Sequence, residues 1–170
     1  MALTRERLLF LFLAALAGLY VVLRAALVPW VHDECASLYW FVERGEFLPW
    51  KAHWDANNHV LSSAIGTAVY RIVGLDVFAS RIGSVLAFGA YAWATYHLGR
   101  RLREPLVRWC LWAALLACPF AIEFFSLFRG YGLELAFWLV ALEGMLRLAE
   151  HWRTRDLVLT LAALFLANAA

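Results

Sequence analysis

The feature that most constrains the fold of this chain is a long apolar run from Leu8 to Val28, preceded by Arg5 and Arg7. A helix of about twenty residues spans ~30 Å, the thickness of a hydrocarbon core. A secretory signal peptide has a shorter apolar core and ends at a cleavage site of small residues. This run instead continues past Arg24, whose long side chain can reach the interface. We interpret it as an uncleaved signal anchor.

Similar apolar runs recur along the chain, and the composition matches them. Hydrophobic residues make up 64% and charged residues 16%, against about 45–50% and about 25% in soluble domains. We therefore predict an all-α, polytopic transmembrane helical bundle with four complete spans, at residues 8–28, 78–98, 107–125 and 131–148. Pro119 is expected to kink the third span. A net charge of +2 gives no surface for nucleic acid.

The last apolar run, residues 157–170, rises only ~21 Å as a helix. We expect it to be a truncated fifth span, so that a missing C-terminal region or a partner chain is needed for activity.

Basic residues indicate the orientation of the bundle. If the spans alternate, nine of the fifteen basic residues lie on one side of the membrane, and these are Arg5, Arg7, Arg100, Arg101, Arg103, Arg108, Arg147, Arg153 and Arg155. The positive-inside rule then places the N-terminus in the cytoplasm and residues 29–76 outside. Glu143 and Arg147, four residues apart, are expected to form a structural ion pair.

The external loop, residues 29–76, is predicted to hold two short interfacial helices. Asp33 is the expected N-cap of the first helix and Gly45 its end, and Asn58 and Gly74 have these roles in the second. The second helix reaches only ~22 Å and should lie along the membrane surface. Its polar side chains, Ser62, Ser63, Thr67 and Arg71, are expected to face water or headgroups.

Four strings of residues carry a resemblance to a known family. They are Asp33-Glu34 after the first span, NNHVL at residues 57–61, SRIGS at residues 80–84, and FFSLFRGYGL at residues 124–133. Their order and spacing resemble the GT-C class of membrane glycosyltransferases, which includes protein O-mannosyltransferases, aminoarabinose transferases and the RgtA/B/C/D-like group. Gly83 stands where proline is common in that class. The resemblance covers the N-terminal portion of such an enzyme.

The resemblance implies inverting transfer of a sugar from a polyprenyl-phosphate donor to a lipid, glycan or protein acceptor. Asp33 is the candidate base, because a carboxylate in the first turn of a helix stays ionised. Glu34 is expected to orient an acceptor or a metal ion. The alternative for both acids is a solvated, capped helix start.

Five further residues are candidate substrate-binding groups. The resemblance places Asn57, Asn58 and His59 beside the donor or acceptor pocket, although capping and solvation explain the same residues. Arg129, with Tyr131 nearby, could pair with a lipid phosphate. The alternatives for Arg129 are an interfacial arginine in an aromatic belt, or an ion pair with Glu123 or Glu134.

Other interpretations of the site and of the function stay open. No metal is assigned, although His53, Asp55 and His59 could hold a divalent cation. The partners implied are the sugar donor and membrane lipids, in a bacterial inner membrane with the catalytic loop facing the periplasm. The rival functions are a transporter or channel subunit and a non-catalytic remnant.

Overall fold

The computed structural model describes residues 5–170, and that part of the chain is all-helical, as predicted. It contains eight α-helices and no strand. They are α1 (Arg5–Leu27), α2 (His32–Ser37), α3 (Val60–Val73), α4 (Val77–Arg100), α5 (Pro105–Leu116), α6 (Pro119–Phe124), α7 (Gly130–His151) and α8 (Thr154–Ala169). A π-helical turn, Leu38–Val42, continues α2.

The long helical segments alternate in direction along the chain, so α4 and α7, which are separated by α5 and α6, run parallel. Phe10 of α1 meets Tyr96 of α4 with ring centroids 5.0 Å apart, and Gly18 faces Phe88, so these two helices are antiparallel. The start of α7 lies beside the start of α4, because the Ser84 hydroxyl donates to the carbonyl of Arg129 at 3.2 Å. The α8 helix returns antiparallel along α7.

This arrangement gives the molecule two distinct ends. We call the end formed by Glu6 and residues 100–108 and 147–155 the basic end, since Glu6 pairs there with Arg100 and Arg108. We call the opposite end, formed by residues 28–59 and 125–131, the site end. The candidate site residues all belong to the site end.

Within residues 5–170, α1 and α4 are long and apolar enough to cross a membrane. The α1 helix leaves much of its apolar surface uncovered, and such a surface favours contact with lipid over contact with water. Its exposed large side chains include Leu8, Leu9, Leu11, Phe12, Leu16 and Leu19.

The helix predicted across residues 107–125 is divided in the structure. The α5 helix ends at Leu116, and the short α6 helix begins at Pro119, which occupies its first turn. Proline has no amide hydrogen to donate and its ring obstructs the preceding turn, so the helix restarts there. The predicted kink at Pro119 is thus a full break.

Helix ends in the 29–76 loop were predicted better than helix starts. Gly45 (φ 67°) and Gly74 (φ 85°) both have positive φ angles, which favour glycine, at the ends of their helical segments. The predicted caps are wrong, because Val31 and His59 precede the first residues of α2 and α3. Asp33 instead lies in the first turn of α2.

The prediction that α3 turns its polar side chains to water holds for Arg71, which is exposed, but is wrong for the other three residues. Ser62, Ser63 and Thr67 are buried, while Ile72 is 83% exposed. These small side chains, with Gly66, allow α3 to pack closely on its neighbours. Their hydroxyls can be satisfied within the helix, as when Thr67 donates to the carbonyl of Ser63 at 2.8 Å.

Candidate functional site

The site end is built around an ion pair between Glu34 and Arg81, whose side chains are both 0% exposed. Arg81 Nε donates to Glu34 Oε1 at 2.8 Å, and Arg81 Nη2 donates to Glu34 Oε2 at 2.5 Å. This two-bond geometry fixes the direction of both side chains. A buried charge needs such pairing, because an isolated one is very costly to desolvate.

Backbone groups from three further segments complete this network. Arg81 donates to the carbonyl groups of Ala25, Val28 and Pro29 at 2.7–3.2 Å. Glu34 accepts from the backbone amides of Val31 at 3.0 Å and Phe128 at 2.5 Å. The single ion pair therefore ties the end of α1, the start of α2, the start of α4 and the link before α7.

This geometry argues against the predicted contact between Glu34 and an acceptor or metal ion. Both carboxylate oxygens already accept two hydrogen bonds, and the side chain has no exposed surface. Glu34 instead holds the backbone of Phe128, which is adjacent to Arg129, while its own neighbour Asp33 faces outward.

Asp33 and Arg129 form a second ion pair beside the first. Arg129 Nη1 contacts Asp33 Oδ2; the side chain of Asp33 is 52% exposed, whereas that of Arg129 is 9% exposed. The hydrogen bond and the positive charge of Arg129 lower the pKa of Asp33. The structure thus presents an ionised carboxylate at the surface and holds its cationic partner below it.

Asp33 is the ion-pair partner of Arg129, and not Glu123 or Glu134, which were weighed as alternatives. Glu123 instead lies 3.6 Å from Arg24, measured from Oε1 to Nη2. Arg24 also donates to the Ser126 hydroxyl at 2.7 Å, so its side chain reaches the site end as expected.

Arg129 lies against one ring of an aromatic cluster. Its guanidinium carbon lies 5.2 Å from the ring centre of Tyr131, and Nη2 is 3.4 Å from the tyrosine hydroxyl. The Tyr131 ring in turn contacts Phe124 and His59, each with centroids 4.9 Å apart. Arg129 Nε is buried and has no hydrogen-bond partner in the described residues, which leaves one donor available to a ligand.

His59 closes this group from the external loop. Burial lowers the pKa of His59, and the positive charge of Arg129 adds to this effect, so the imidazole is neutral at pH 7. Its ring packs directly on Gly130, where an added Cβ would lie 2.4 Å from Nδ1. Nε2 is buried without a hydrogen-bond partner among residues 5–170.

Asn57 and Asn58 hold the loop rather than the helix start. The backbone amide of Asn57 donates to Asp55 Oδ1 at 2.7 Å, and its carbonyl accepts from Ser37 at 3.4 Å. Asn58 Nδ2 donates to the carbonyl of Phe47 at 3.1 Å. Asn58 Oδ1 remains buried without a partner in the described part of the chain.

The residues weighed as a cation site do not form one. Among residues 5–170, no group of three or more His, Cys, Asp or Glu side chains is close enough to hold a metal ion. His53 stacks instead on Trp40, with centroids 3.9 Å apart and planes 14° apart.

Arg81 is the functional neighbour that residue-by-residue reasoning missed. The sequence signal for it was the SRIGS string at residues 80–84, which resembles the entry to the second span in the GT-C class but indicates no partner for Glu34. Comparison with family models, curated proteins and solved structures found no match to this chain. The interpretation of the site therefore depends on its geometry and on the motifs in the sequence.

Proposed function

We propose that the chain is a GT-C-like polytopic membrane protein that transfers a sugar, with inversion, from a polyprenyl phosphate to an acceptor hydroxyl. The observation that carries this proposal is the Asp33–Arg129 pair, in which a half-exposed carboxylate is held against a buried guanidinium among aromatic rings. A base and a phosphate-binding cation are the two groups that this reaction needs.

In the proposed reaction, Asp33 accepts the proton of the acceptor hydroxyl. The acceptor oxygen forms a bond to the anomeric carbon as the bond from that carbon to the phosphate oxygen breaks. The polyprenyl phosphate leaves with the electron pair and gains negative charge, which Arg129 stabilises. Tyr131 borders the guanidinium, and the unpartnered Arg129 Nε gives it a further donor for phosphate.

The position of the pair suits a lipid-linked donor. Asp33 lies just beyond the end of α1, and Arg129 lies just before α7. If α1, α4, α5–α6, α7 and α8 cross a bilayer in alternating directions, the Asp33–Arg129 pair lies at the membrane face. The phosphate of a polyprenyl donor lies at the same depth. The basic end then faces the cytoplasm and the site end faces the periplasm.

The transporter alternative receives less support from the charges. A substrate pathway predicts ionisable groups midway along the spans. The buried ionisable side chains in residues 5–170 lie instead toward the two ends, with Glu34, Arg81 and Arg129 at one, and Glu143 and Asp156 at the other. If the chain is a non-catalytic remnant, no reaction should depend on Asp33.

The test is replacement of Asp33 by Asn in the full chain, with Glu46→Gln as the control. Both changes neutralise an exposed acid of the same loop, but Glu46 has no ion-pair partner in the described residues. Membranes containing each variant are given radiolabelled undecaprenyl-phosphate mannose and undecaprenyl-phosphate arabinose, and released undecaprenyl phosphate is measured. We expect Asp33→Asn to lower the rate by about 10²- to 10⁴-fold.

The pH profile separates the base from a merely structural acid. The lowered pKa of Asp33 keeps it ionised down to pH values below the usual ~3.9 for aspartate. Arg129→Gln should raise the pKa of Asp33 and so move the acid limb of the residual activity to higher pH. Two results would contradict the proposal. One is unchanged activity in Asp33→Asn, and the other is a wild-type protein that consumes neither donor.

A further inference from the structure

The basic end contains a polar cleft that the proposed reaction does not use. Its volume is about 350 Å³, and it lies where α4, α7 and the start of α8 meet. Five arginines and three acids line it, together with two histidines. The charged residues are Arg100, Arg101, Arg147, Arg153, Arg155, Glu143, Glu150 and Asp156.

Ion pairs within the cleft leave positive charge uncompensated at one place. Glu143 accepts from both Arg101 and Arg147, at 2.8 Å and 2.7 Å. The exposed side chain of Arg153 has no hydrogen-bond or ion-pair partner in residues 5–170. Arg155 comes no closer than 3.9 Å to its neighbour Asp156. Arg153 and Arg155 also stand at the N-terminus of α8, where the helix dipole favours an anion.

Asp156 adds an acceptor to this basic site. The residue is 3% exposed, and its Oδ2 is buried with no hydrogen-bond partner in the described part of the chain. Buried carboxylate oxygens without partners are rare, because their desolvation is costly. A ligand hydroxyl would satisfy this atom. The cleft therefore combines donors for a phosphate with an acceptor for a hydroxyl.

An apolar groove continues from the cleft along the side of the bundle. It has a volume of about 420 Å³ and lies between α1 and α4, lined by residues that include Phe10, Leu11, Ala14 and Gly89. His97 lines both the groove and the cleft. The guanidinium of Arg147, which lines the cleft, also lies 5.1 Å from the ring centre of Trp93, which lines the groove.

We propose that the groove and cleft together bind one anionic phospholipid with a glycerol headgroup. The phosphate lies against Arg153 and Arg155, a headgroup hydroxyl donates to Asp156, and an acyl chain lies in the α1–α4 groove. The charge of the cleft, its unpaired acceptor and the adjoining apolar groove match the three parts of that lipid. This inference depends on membrane association but not on the proposed transfer reaction.

The experiment is native mass spectrometry of the full chain in detergent, titrated with four probes. These are dioleoyl phosphatidylglycerol, dioleoyl phosphatidylcholine, undecaprenyl phosphate and free glycerol phosphate. We expect one molecule of phosphatidylglycerol to bind about tenfold more tightly than phosphatidylcholine, a difference typical of one or two charge-assisted hydrogen bonds. Free glycerol phosphate should bind weakly, because it has no chain for the groove.

Variants assign the binding to this site. The double change Arg153→Gln and Arg155→Gln should weaken phosphatidylglycerol binding about tenfold, while Arg103→Gln, an exposed arginine of the same end outside the cleft, should not. Gly89→Leu should have a similar effect by filling the groove. An added Cβ at Gly89 meets no atom within 4 Å, so this variant is expected to fold.

Three results would overturn the proposal. Equal affinities for phosphatidylglycerol and phosphatidylcholine would show that charge does not determine binding. An equal loss of phosphatidylglycerol affinity in Arg103→Gln and in the double variant would show only a general attraction to the basic end. Undecaprenyl phosphate that binds more tightly than phosphatidylglycerol, and loses that binding in the Arg153→Gln and Arg155→Gln double variant, would assign the cleft to a polyprenyl lipid. Because binding is measured without turnover, each result is independent of the transferase assay.

Discussion

Adjacent acids at the start of α2 have opposite surroundings. Glu34 is fully buried against Arg81, and Asp33 is half-exposed above Arg129. Successive residues of a helix point about 100° apart, so one turn can present one acid to the interior and the next to the surface. The buried acid determines where the exposed one is held, since Glu34 also binds the amide next to Arg129.

We predict that Glu34→Gln destabilises the protein far more than Asp33→Asn does. The change leaves the charge of Arg81 buried without its partner, which typically costs about 3–5 kcal/mol. Asp33 is half-exposed, so water can replace part of what its carboxylate supplies to Arg129, and its loss should cost less. Thermal unfolding in detergent, followed by tryptophan fluorescence, measures the difference.

The double variant Glu34→Met with Arg81→Met tests the reason for that loss. Removing both charges should restore much of the stability, because no unpaired charge remains in the interior. A double variant as unstable as Glu34→Gln alone would show that the hydrogen bonds to the backbone, rather than the charge, hold this end together.

At the scale of helices, local signals in the sequence predicted ends better than faces. Gly45 and Gly74 could be recognised as ends, because positive φ angles favour glycine. The buried face of α3 could not be recognised in this way, because Ser63 and Thr67 are polar residues that pack inward as a result of their small size. Hydrophobicity predicts burial where side chains are large, but close helix contacts select small side chains whatever their polarity.

Two glycines of α4 give a matched test of helix packing. A Cβ at Gly99 would lie 2.0 Å from Nε1 of Trp112, whose side chain is fully buried and donates to the carbonyl of Thr95. A Cβ at Gly89 meets nothing within 4 Å. We expect Gly99→Ala to cost about 1–3 kcal/mol by displacing α5. Gly89→Ala should be neutral or stabilising by up to ~1 kcal/mol, because alanine favours the helix.

The same unfolding assay compares the two alanine variants. Equal midpoints would mean that α4 and α5 can separate at no cost, which would contradict the contact between Gly99 and Trp112. The comparison is controlled internally, because both changes add one methyl group to the same helix.

For the whole molecule, the sequence predicted the all-helical class but not the contacts that organise the site. The Glu143–Arg147 ion pair was predictable and is confirmed, since its partners are four residues apart on one helix. The pairing of Glu34 with Arg81 spans 47 residues, and that of Glu34 with Phe128 spans 94. Such contacts depend on how α1, α4 and α7 pack together, which periodicity along the chain does not encode.

The orientation of the molecule gives the last prediction. The site end should face outward and the basic end should face the cytoplasm, because the arginines cluster at the latter. Cys35 is exposed at the site end, two residues after Asp33.

With Cys110 and Cys118 changed to alanine, a membrane-impermeant maleimide should label Cys35 in intact cells. With Cys35 also replaced and Arg103→Cys introduced, labelling should require lysis. The chain without cysteines sets the background. The reverse pattern would put Asp33 in the cytoplasm, where it could not act on a donor presented at the outer face.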